Sequence, residues 1–178
     1  AIARDEFFGQ DQSATDFEIG IDAERDLSRY LSGKAIFLFY DKTNNNDTDQ
    51  RVVNAVSEET LFFRQGDTRT DTMESIGRLE FDWSGWLSHA VQGNFELAYN
   101  SVQGALVQTE DTGTGPVLVD IPGANTRVEE IRGDVLLQDT WSRGKLVVNY
   151  GLGLERSTIT SKGEDEQQRR FFFIKPQG

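Results

Sequence analysis

The chain has 178 residues, a formal net charge of -12, 37% hydrophobic residues and no cysteine. The acidic balance excludes the basic surface that binds nucleic-acid phosphates. The absence of cysteine excludes disulfides, thiolate metal sites and cysteine nucleophiles. The longest apolar run, 35–40, is too short for a membrane helix, which needs about 20 residues. An aromatic content of 11% nevertheless indicates a folded chain, because disordered acidic chains contain few aromatic residues.

Apolar and polar residues alternate in many short segments, whereas no long window keeps the helical period. The clearest segment is 92–99, where Phe95 and Leu97 face one way and Asn94 and Glu96 face the other. Two segments, 34–41 and 169–175, are apolar on both faces, so the pattern leaves their register open. About seven strands are predicted, in chain order 16–24, 34–41, 74–83, 92–99, 130–141, 146–155 and 169–175.

The predicted connections alternate in length. Short connections are predicted at 26–33, 84–88 and 142–145, and long polar ones at 42–73, 102–128 and 157–168. Outer-membrane barrels show this sorting, because their periplasmic turns are short and their extracellular loops are long. The pattern therefore favours an all-β fold that is a segment of an antiparallel transmembrane β-barrel. The alternation alone also fits a soluble β-barrel or sandwich.

Large aromatic residues lie near the predicted ends of the strands. Trp83, Trp86 and Trp141 are close to short turns, Tyr150 follows in the next strand, and Tyr99 lies toward a long connection. Tryptophan and tyrosine concentrate at both membrane interfaces, because their rings combine an apolar body with a polar tip. We therefore predict that these five residues are membrane-interface aromatics.

Charged and amide residues occupy the second face of the predicted strands. A water-filled lumen permits such residues in mid-strand, and so does the surface of a soluble protein. Three glycines, Gly77, Gly93 and Gly133, interrupt the apolar face, which a lipid-facing wall tolerates better than a dry core does. The candidates for a lumen-facing ligand path are Glu18, Asp22, Arg78, Glu80, Asn94, Glu96, Arg132, Asp134, Gln138, Asn149 and Glu155.

Candidate chemistry is sparse. His89 is the only histidine, so nucleophile–base triads have a single candidate base, and acidic pairs such as Glu129–Glu130 occur by chance in a chain with 30 acidic residues. The stretch 41–49 is similar to a calcium loop but lacks the glycine and glutamate of the EF-hand pattern, which favours a hydrated loop tip. The sequence therefore predicts no enzyme activity, no cofactor and no metal site.

Several of these segments resemble barrel strands of TonB-dependent receptors. The chain contains Gln138-Asp139-Thr140-Trp141, a tight turn, and then a strand with Asn149-Tyr150-Gly151-Leu152 and Glu155. Phe173-Ile174-Lys175-Pro176 and Arg78-Leu79-Glu80-Phe81-Asp82-Trp83 are also similar to elements of that family. The resemblance covers most of the chain and is strongest over 127–178.

The resemblance implies a place in the wall of a 22-stranded barrel in the bacterial outer membrane, in contact with lipid and lipopolysaccharide. It also implies import of a nutrient such as an iron chelate, a vitamin or a glycan, driven by TonB through a plug domain. No plug or TonB-coupling segment is recognisable, and seven strands cannot close such a barrel. We therefore expect residues 1–178 to be one part of a barrel domain in a longer chain.

Two other functions remain open from the sequence. One is a small soluble β-barrel that holds an apolar ligand inside, in the manner of lipocalins. The other is a passive structural or adhesive outer-membrane barrel whose acidic loops are the working part. The first alternative buries Phe95, Leu97 and Tyr99 in an interior, whereas the membrane alternatives expose them to lipid.

Overall fold

A computed structural model of the protein describes residues 3–178, which form one antiparallel sheet. The long strands pair in the order β1-β2-β3-β4-β6-β7-β8, and the short strand β5 pairs with β4 alone. The all-β antiparallel fold is confirmed, and the seven long strands are the seven predicted ones. The strands are β1 (Arg4–Ser28), β2 (Leu31–Asn54), β3 (Thr60–Trp83), β4 (His89–Asp111), β5 (Val117–Val119), β6 (Asn125–Arg143), β7 (Leu146–Lys162) and β8 (Gln167–Gln177).

The sheet is open over the residues that the structure describes, since its path runs from β1 to β8 without a pairing between them. Closure into a barrel and a total of 22 strands therefore stay predictions. Within the same residues, no helix is long and apolar enough to cross a membrane.

The register sorts the side chains into two faces, because directly paired residues of antiparallel strands point the same way. Phe95 of β4 pairs with Leu79 of β3 and with Val135 of β6. We call the face that holds Phe95 the apolar face and the opposite face, which holds Glu96, the polar face. By this register the apolar face carries Phe17, Ile19, Ile21, Phe37, Phe39, Leu79, Phe81, Leu97, Ile131, Leu137, Leu152, Leu154, Phe172 and Ile174.

The apolar residues form a band that drifts across the sheet. Residues that pair directly from strand to strand form a row across the sheet. Arg25 marks the border of the band in β1, but the row that begins at Arg25 reaches Leu152 in β7, which lies inside the band. At the other border, Arg156 of β7 lies in the row of Ile21. The band thus shifts by roughly six residues over five strand spacings of about 4.8 Å. This shift corresponds to strands tilted by about 40° from the direction that crosses the band at right angles to its borders.

No second layer covers the apolar face. Ile21, Leu97 and Leu137 are 60%, 52% and 57% exposed, and the described residues include no large side chain that is fully buried. A side-chain carbon added at Gly77 or Gly133, both on this face, would meet no atom within 4 Å. The sheet therefore has no hydrophobic core of its own.

The predicted long connections are wrong. Most of 42–73, 102–128 and 157–168 is paired strand, and the unpaired connections shrink to 55–59, 112–116, 120–124 and 163–166. Strands β2 and β3 thus form a hairpin that extends well past the band. Apart from the apolar cluster 61–63, these extensions are mainly polar on both faces, so they carry no sustained alternation of hydropathy, while their ladder hydrogen bonds hold them in register regardless of polarity.

The predicted short turns are confirmed, at 29–30, 84–88 and 144–145. The two ends of the sheet therefore differ mainly in how far paired strands extend beyond the apolar band. Tight turns end one side, and long polar hairpins project from the other. This asymmetry replaces the predicted contrast between short turns and long irregular loops.

Gly144 provides the backbone freedom that the tight turn between β6 and β7 needs, because its φ is +63°. We expect Gly144→Val to lower the free energy of unfolding by about 1–2 kcal/mol, since a β-branched residue is strained in that region. Gly77→Val is the control, because it adds its side chain in open space at an ordinary φ. Urea unfolding followed by tryptophan fluorescence measures both, and equal destabilisation would contradict the account.

Candidate functional site

The polar face is the candidate functional site. The register places all eleven predicted ligand-path residues on it, including Glu18 and Asp22 of β1, Gln138 of β6, and Asn149 of β7. Alternation alone separated them correctly from the apolar side chains. Their role as a ligand path remains a prediction, which their shared face permits.

Glu96 is the centre of an ion-pair network on this face. Its carboxylate accepts a hydrogen bond of 2.8 Å from Arg78 Nε and one of 3.0 Å from Arg132 Nη2. Arg132 Nε also donates to Asp134 Oδ2 at 3.1 Å. The Glu96 side chain is only 13% exposed, whereas that of Arg78 is 44% exposed. One largely buried carboxylate therefore ties together guanidinium groups from β3 and β6.

The network continues onto β7 and β8. Lys175 Nζ contacts the carboxylate of Glu155 and lies 3.9 Å from Asp134 Oδ1. Asp134 pairs directly with both Glu96 and Glu155 in the sheet. Facing carboxylates repel one another, and Arg132 and Lys175 offset that repulsion. The charges thus run across five adjacent strands, from β3 to β8.

Two weaker pairs extend the charged surface. Arg78 Nη1 lies 3.7 Å from Glu80 Oε1, and Lys34 Nζ lies 3.8 Å from Asp22 Oδ2. Asp22 is 68% exposed, so its pair adds little to stability. The polar face is therefore tightly organised around β4 and β6 and looser toward β1.

A depression of about 510 Å³ lies at this network. Gly153 of β7 forms part of its lining, and a side-chain carbon there would be in van der Waals contact with Lys175 and Leu136. Gly151, the next residue of β7 on the same face, is even more restricted, since a side-chain carbon would lie 2.7 Å from Gln138 Cγ. The missing side chain of Gly153 thus leaves space between the side chains of β6 and β8, whereas Gln138 fills the space above Gly151.

Two phenylalanines of β8 lie on the polar face beside this depression. Phe173 pairs directly with Glu155, and Phe171 pairs with Ser157. Their rings are stacked, with centroids 6.2 Å apart and planes within 5° of parallel. They are 39% and 46% exposed for Phe171 and Phe173 respectively. The sequence did not identify this pair, because the run of apolar residues left the register of β8 open.

The predicted interface aromatics lie on the apolar face or in the adjoining turn. Trp83 and Tyr150 share one row of the register, and Trp141 lies one step closer to the short turns. Trp86, in the turn 84–88, packs edge-on against Trp83 with ring centroids 4.9 Å apart. Tyr99 lies at the opposite border of the band. The tryptophans thus lie toward the short turns and Tyr99 toward the hairpins, and the role of the five residues as interface aromatics stays a prediction.

Asp139 is a charged residue on the apolar face that the sequence reading did not single out. Its Oδ2 lies 2.6 Å from His89 Nδ1 and accepts a hydrogen bond from Tyr150 Oη. His89 in turn packs edge-on against Trp86, with centroids 5.8 Å apart. The sequence could have placed Asp139 on the apolar face, because Asp139 is two residues from both Leu137 and Trp141 and alternate residues of a strand share a face. Asp139 thus connects His89 and Tyr150 near the tryptophans, a polar anchor at the border of the band.

Ion pairs also lie beyond the other border of the band. Glu129 Oε2 accepts a hydrogen bond of 2.7 Å from Lys162 Nζ, and Tyr99 Oη donates to Glu129 Oε1 at 3.0 Å. These donors lower the pKa of Glu129. In the hairpin of β2 and β3, hydrogen bonds from Arg69 and Thr43 lower the pKa of Asp71. The projecting hairpins are therefore held by polar cross-strand pairs.

The geometry of the described residues offers no set of catalytic groups. Within 3–178, no group of three His, Cys, Asp or Glu side chains could hold a metal ion. The stretch 41–49 is paired strand within β2, so the expected hydrated loop tip is wrong. What the polar face can do chemically is to form hydrogen bonds and ion pairs.

Comparisons with known proteins give a structural likeness only. No protein-family model and no curated protein matches the chain. BauA, the ferric preacinetobactin receptor from Acinetobacter baumannii, is similar with a TM-score of 0.49 and 15% identity, over 93% of this chain and 28% of that one. The ferric citrate transporter FecA is similar with a TM-score of 0.44 and 8% identity, over 93% and 33%.

A major outer membrane protein from Thermus thermophilus has a TM-score of 0.20 at 11% identity, over 89% of this chain and 84% of that one. The chain spans about a third or less of BauA and FecA. Because these TM-scores and identities are low, a functional conclusion has to rest on the sheet itself.

The network around Glu96 predicts a large effect of one substitution. Glu96→Gln leaves Arg78 and Arg132 facing each other without the carboxylate, and we expect it to lower the free energy of unfolding by about 1–3 kcal/mol. Glu18→Gln, on the same face in the looser part of the sheet, is the matched control and should change it by less than about 0.5 kcal/mol. Urea unfolding of the purified protein measures both, and similar values for the two variants would argue against the network.

Proposed function

We propose that residues 1–178 form part of the wall of a transport barrel in the bacterial outer membrane, with the apolar face toward lipid and the polar face toward the lumen. The exposed apolar band is the observation that carries this proposal. In β4 the band runs from Val91 to Tyr99, which is roughly 26 Å along the strand. Because the strand is tilted, the distance between the two borders of the band is roughly 20 Å. Outer-membrane barrels present an apolar belt about 25 Å tall.

The extent of the band argues against water as its surroundings. Seven strands spaced by about 4.8 Å, each crossing the band over roughly 26 Å of its length, cover roughly 900 Å² of contiguous apolar surface. Soluble monomeric proteins rarely expose apolar patches larger than a few hundred Å². A lipid bilayer removes this surface from water without any second protein layer, which fits a sheet that has no core.

The drift of the band supports the same arrangement. A strand tilt of about 40° lies within the range of about 35–45° typical of transmembrane barrels. If the band lies flat in the membrane, the strands have to cross it obliquely, and charged residues such as Arg25 and Arg156 then fall at its borders. Because of the tilt, charged residues that lie in different rows of the register can lie at the same depth in the membrane.

The polar face supports a water-filled or plugged lumen. Its charged residues lie at the same level as the middle of the apolar band, since Glu96 is adjacent to Phe95 in β4. Charges at that depth are tolerated only on a face that lipid does not reach. A barrel of this kind carries out no chemistry on its ligand, and we propose no enzyme activity.

For the whole protein we propose active import of a nutrient, coupled to TonB through a plug domain outside this segment. The sequence resemblance to TonB-dependent receptors supports this part, and the long polar hairpins supply surface for a first contact with a ligand. The expected surroundings are phospholipid at the short turns and lipopolysaccharide toward the hairpins, and no nucleic acid is involved.

The soluble alternative requires an enclosed apolar interior. The described residues form an open sheet, and the side chains of its apolar face are exposed and not enclosed. The passive or adhesive alternative shares the wall geometry with the transport proposal. A role for the polar face in ligand uptake separates these two.

Cell fractionation of the intact protein tests the location directly. We expect the protein in the outer-membrane fraction, with faster migration in detergent gels before heating than after heating, because folded outer-membrane barrels resist unfolding by detergent. Recovery of the folded protein in the soluble fraction would contradict the proposal.

A pair of arginine substitutions in one strand tests which face meets lipid. Phe95→Arg places a charge at the middle of the band and should destabilise the inserted barrel by about 2–4 kcal/mol. Gln92→Arg adds the same charge on the polar face directly opposite Asp82 and should be tolerated. Insertion into lipid vesicles, followed by the shift in gel migration, measures both variants. Normal insertion of Phe95→Arg would count against a lipid-facing band.

A further inference from the structure

We propose that the depression on the polar face binds a neutral oligosaccharide, and that Phe171 and Phe173 form the platform on which a sugar ring stacks. The proposal rests on the polar face being the lumen side of the barrel wall. It names the class of ligand that this face recognises.

The charges that line the depression balance one another. Within the described chain, three cations and three carboxylates surround it: Arg78, Arg132, Lys175, Glu96, Asp134 and Glu155. Each of these cations contacts one of the carboxylates. An anionic ligand needs an unpaired cation, and a cationic ligand needs an unpaired carboxylate. The local balance favours a ligand without net charge.

The same groups offer closely spaced donors and acceptors. Guanidinium and ammonium groups retain N–H donors beyond those used in their ion pairs, and carboxylates retain free lone pairs. Asn94 and Gln177 add amide groups to the lining. A sugar hydroxyl both donates and accepts, so it can insert between paired charges without separating them. The rest of the chain adds negative charge, which further disfavours an anion.

The phenylalanine pair supplies the apolar part of the site. Phe173 lies directly opposite Glu155, so an aromatic ring and the balanced charges adjoin each other. The C–H groups on one face of a sugar ring are apolar, and the exposed part of a phenylalanine ring offers a flat apolar surface for them. Within the described residues, Phe171 and Phe173 leave apolar ring area uncovered on the polar face, and a sugar ring stacked on them would cover it.

The volume is suitable for this ligand. A depression of about 510 Å³ falls within the range of about 300–1,000 Å³ that small-molecule sites occupy. The space above Gly153 lies between Leu136 on β6 and Lys175 on β8, the two residues that pair with it. A side chain at Gly153 would narrow the space, because its first carbon would be in van der Waals contact with Lys175, whose Cβ would lie at 3.4 Å.

Calorimetric titration of the purified full-length protein in detergent tests the proposal. The probes are maltohexaose, cellohexaose, xylohexaose and chitohexaose, with ferric citrate as the anionic probe. We expect at least one hexasaccharide to bind and ferric citrate not to bind. Phe173→Ala should weaken hexasaccharide binding by about tenfold or more, because the stacking surface is lost. Phe173→Tyr, which keeps the ring, should restore binding.

Phe172→Ala is the matched control, since Phe172 lies between the two platform residues in sequence but on the apolar face. It should leave binding unchanged. Binding of ferric citrate, failure of all four hexasaccharides, or full binding by Phe173→Ala would each overturn the proposal. Heat-shifted gel migration and outer-membrane location of the same preparations report on the barrel separately, so a ligand-binding failure with both intact refutes this inference alone.

Discussion

A single-layer sheet has to place its apolar face against something other than water, and most features of this protein follow from that constraint. The described residues supply no helix or second sheet to cover the band, so the covering material comes from outside them. A bilayer meets the requirement for the whole band at once. It also explains why Gly77 and Gly133 on this face can border open space and why charged residues such as Arg25 and Arg156 lie at the borders of the band.

The opposite face can then be polar, and its side chains form specific ion pairs in addition to contacts with water. Glu96, which is largely buried, connects Arg78 and Arg132, and the chain of pairs continues through Asp134 to Lys175. Such a network fixes the side chains of five strands relative to one another. It also makes the middle of the wall locally neutral, so a ligand at this place is recognised by hydrogen bonds and stacking instead of net charge.

The sequence predicted the strands wherever one face was apolar and the other polar. It failed for the hairpin extensions, such as the outer halves of β2 and β3, because both of their faces are mainly polar and ladder hydrogen bonds hold these segments together. It also left the register of β8 undetermined, so the pairing of β8 with β7 was needed to place Phe171 and Phe173 on the polar face. Asp139 could have been placed from its parity with Leu137 and Trp141. Contacts between side chains of different strands, such as Asp139 with His89, need the register as well.

The central claim is that alternate residues of one strand face lipid and water. Single cysteines at 91–98 of β4, each carrying a spin label in the vesicle-inserted protein, test it most directly, and this segment contains no native cysteine to interfere. The account predicts that labels at odd-numbered positions are more accessible to oxygen, which dissolves in lipid, and labels at even-numbered positions to a water-soluble nickel chelate. Equal accessibility of both sets to the chelate would contradict a lipid-facing apolar band.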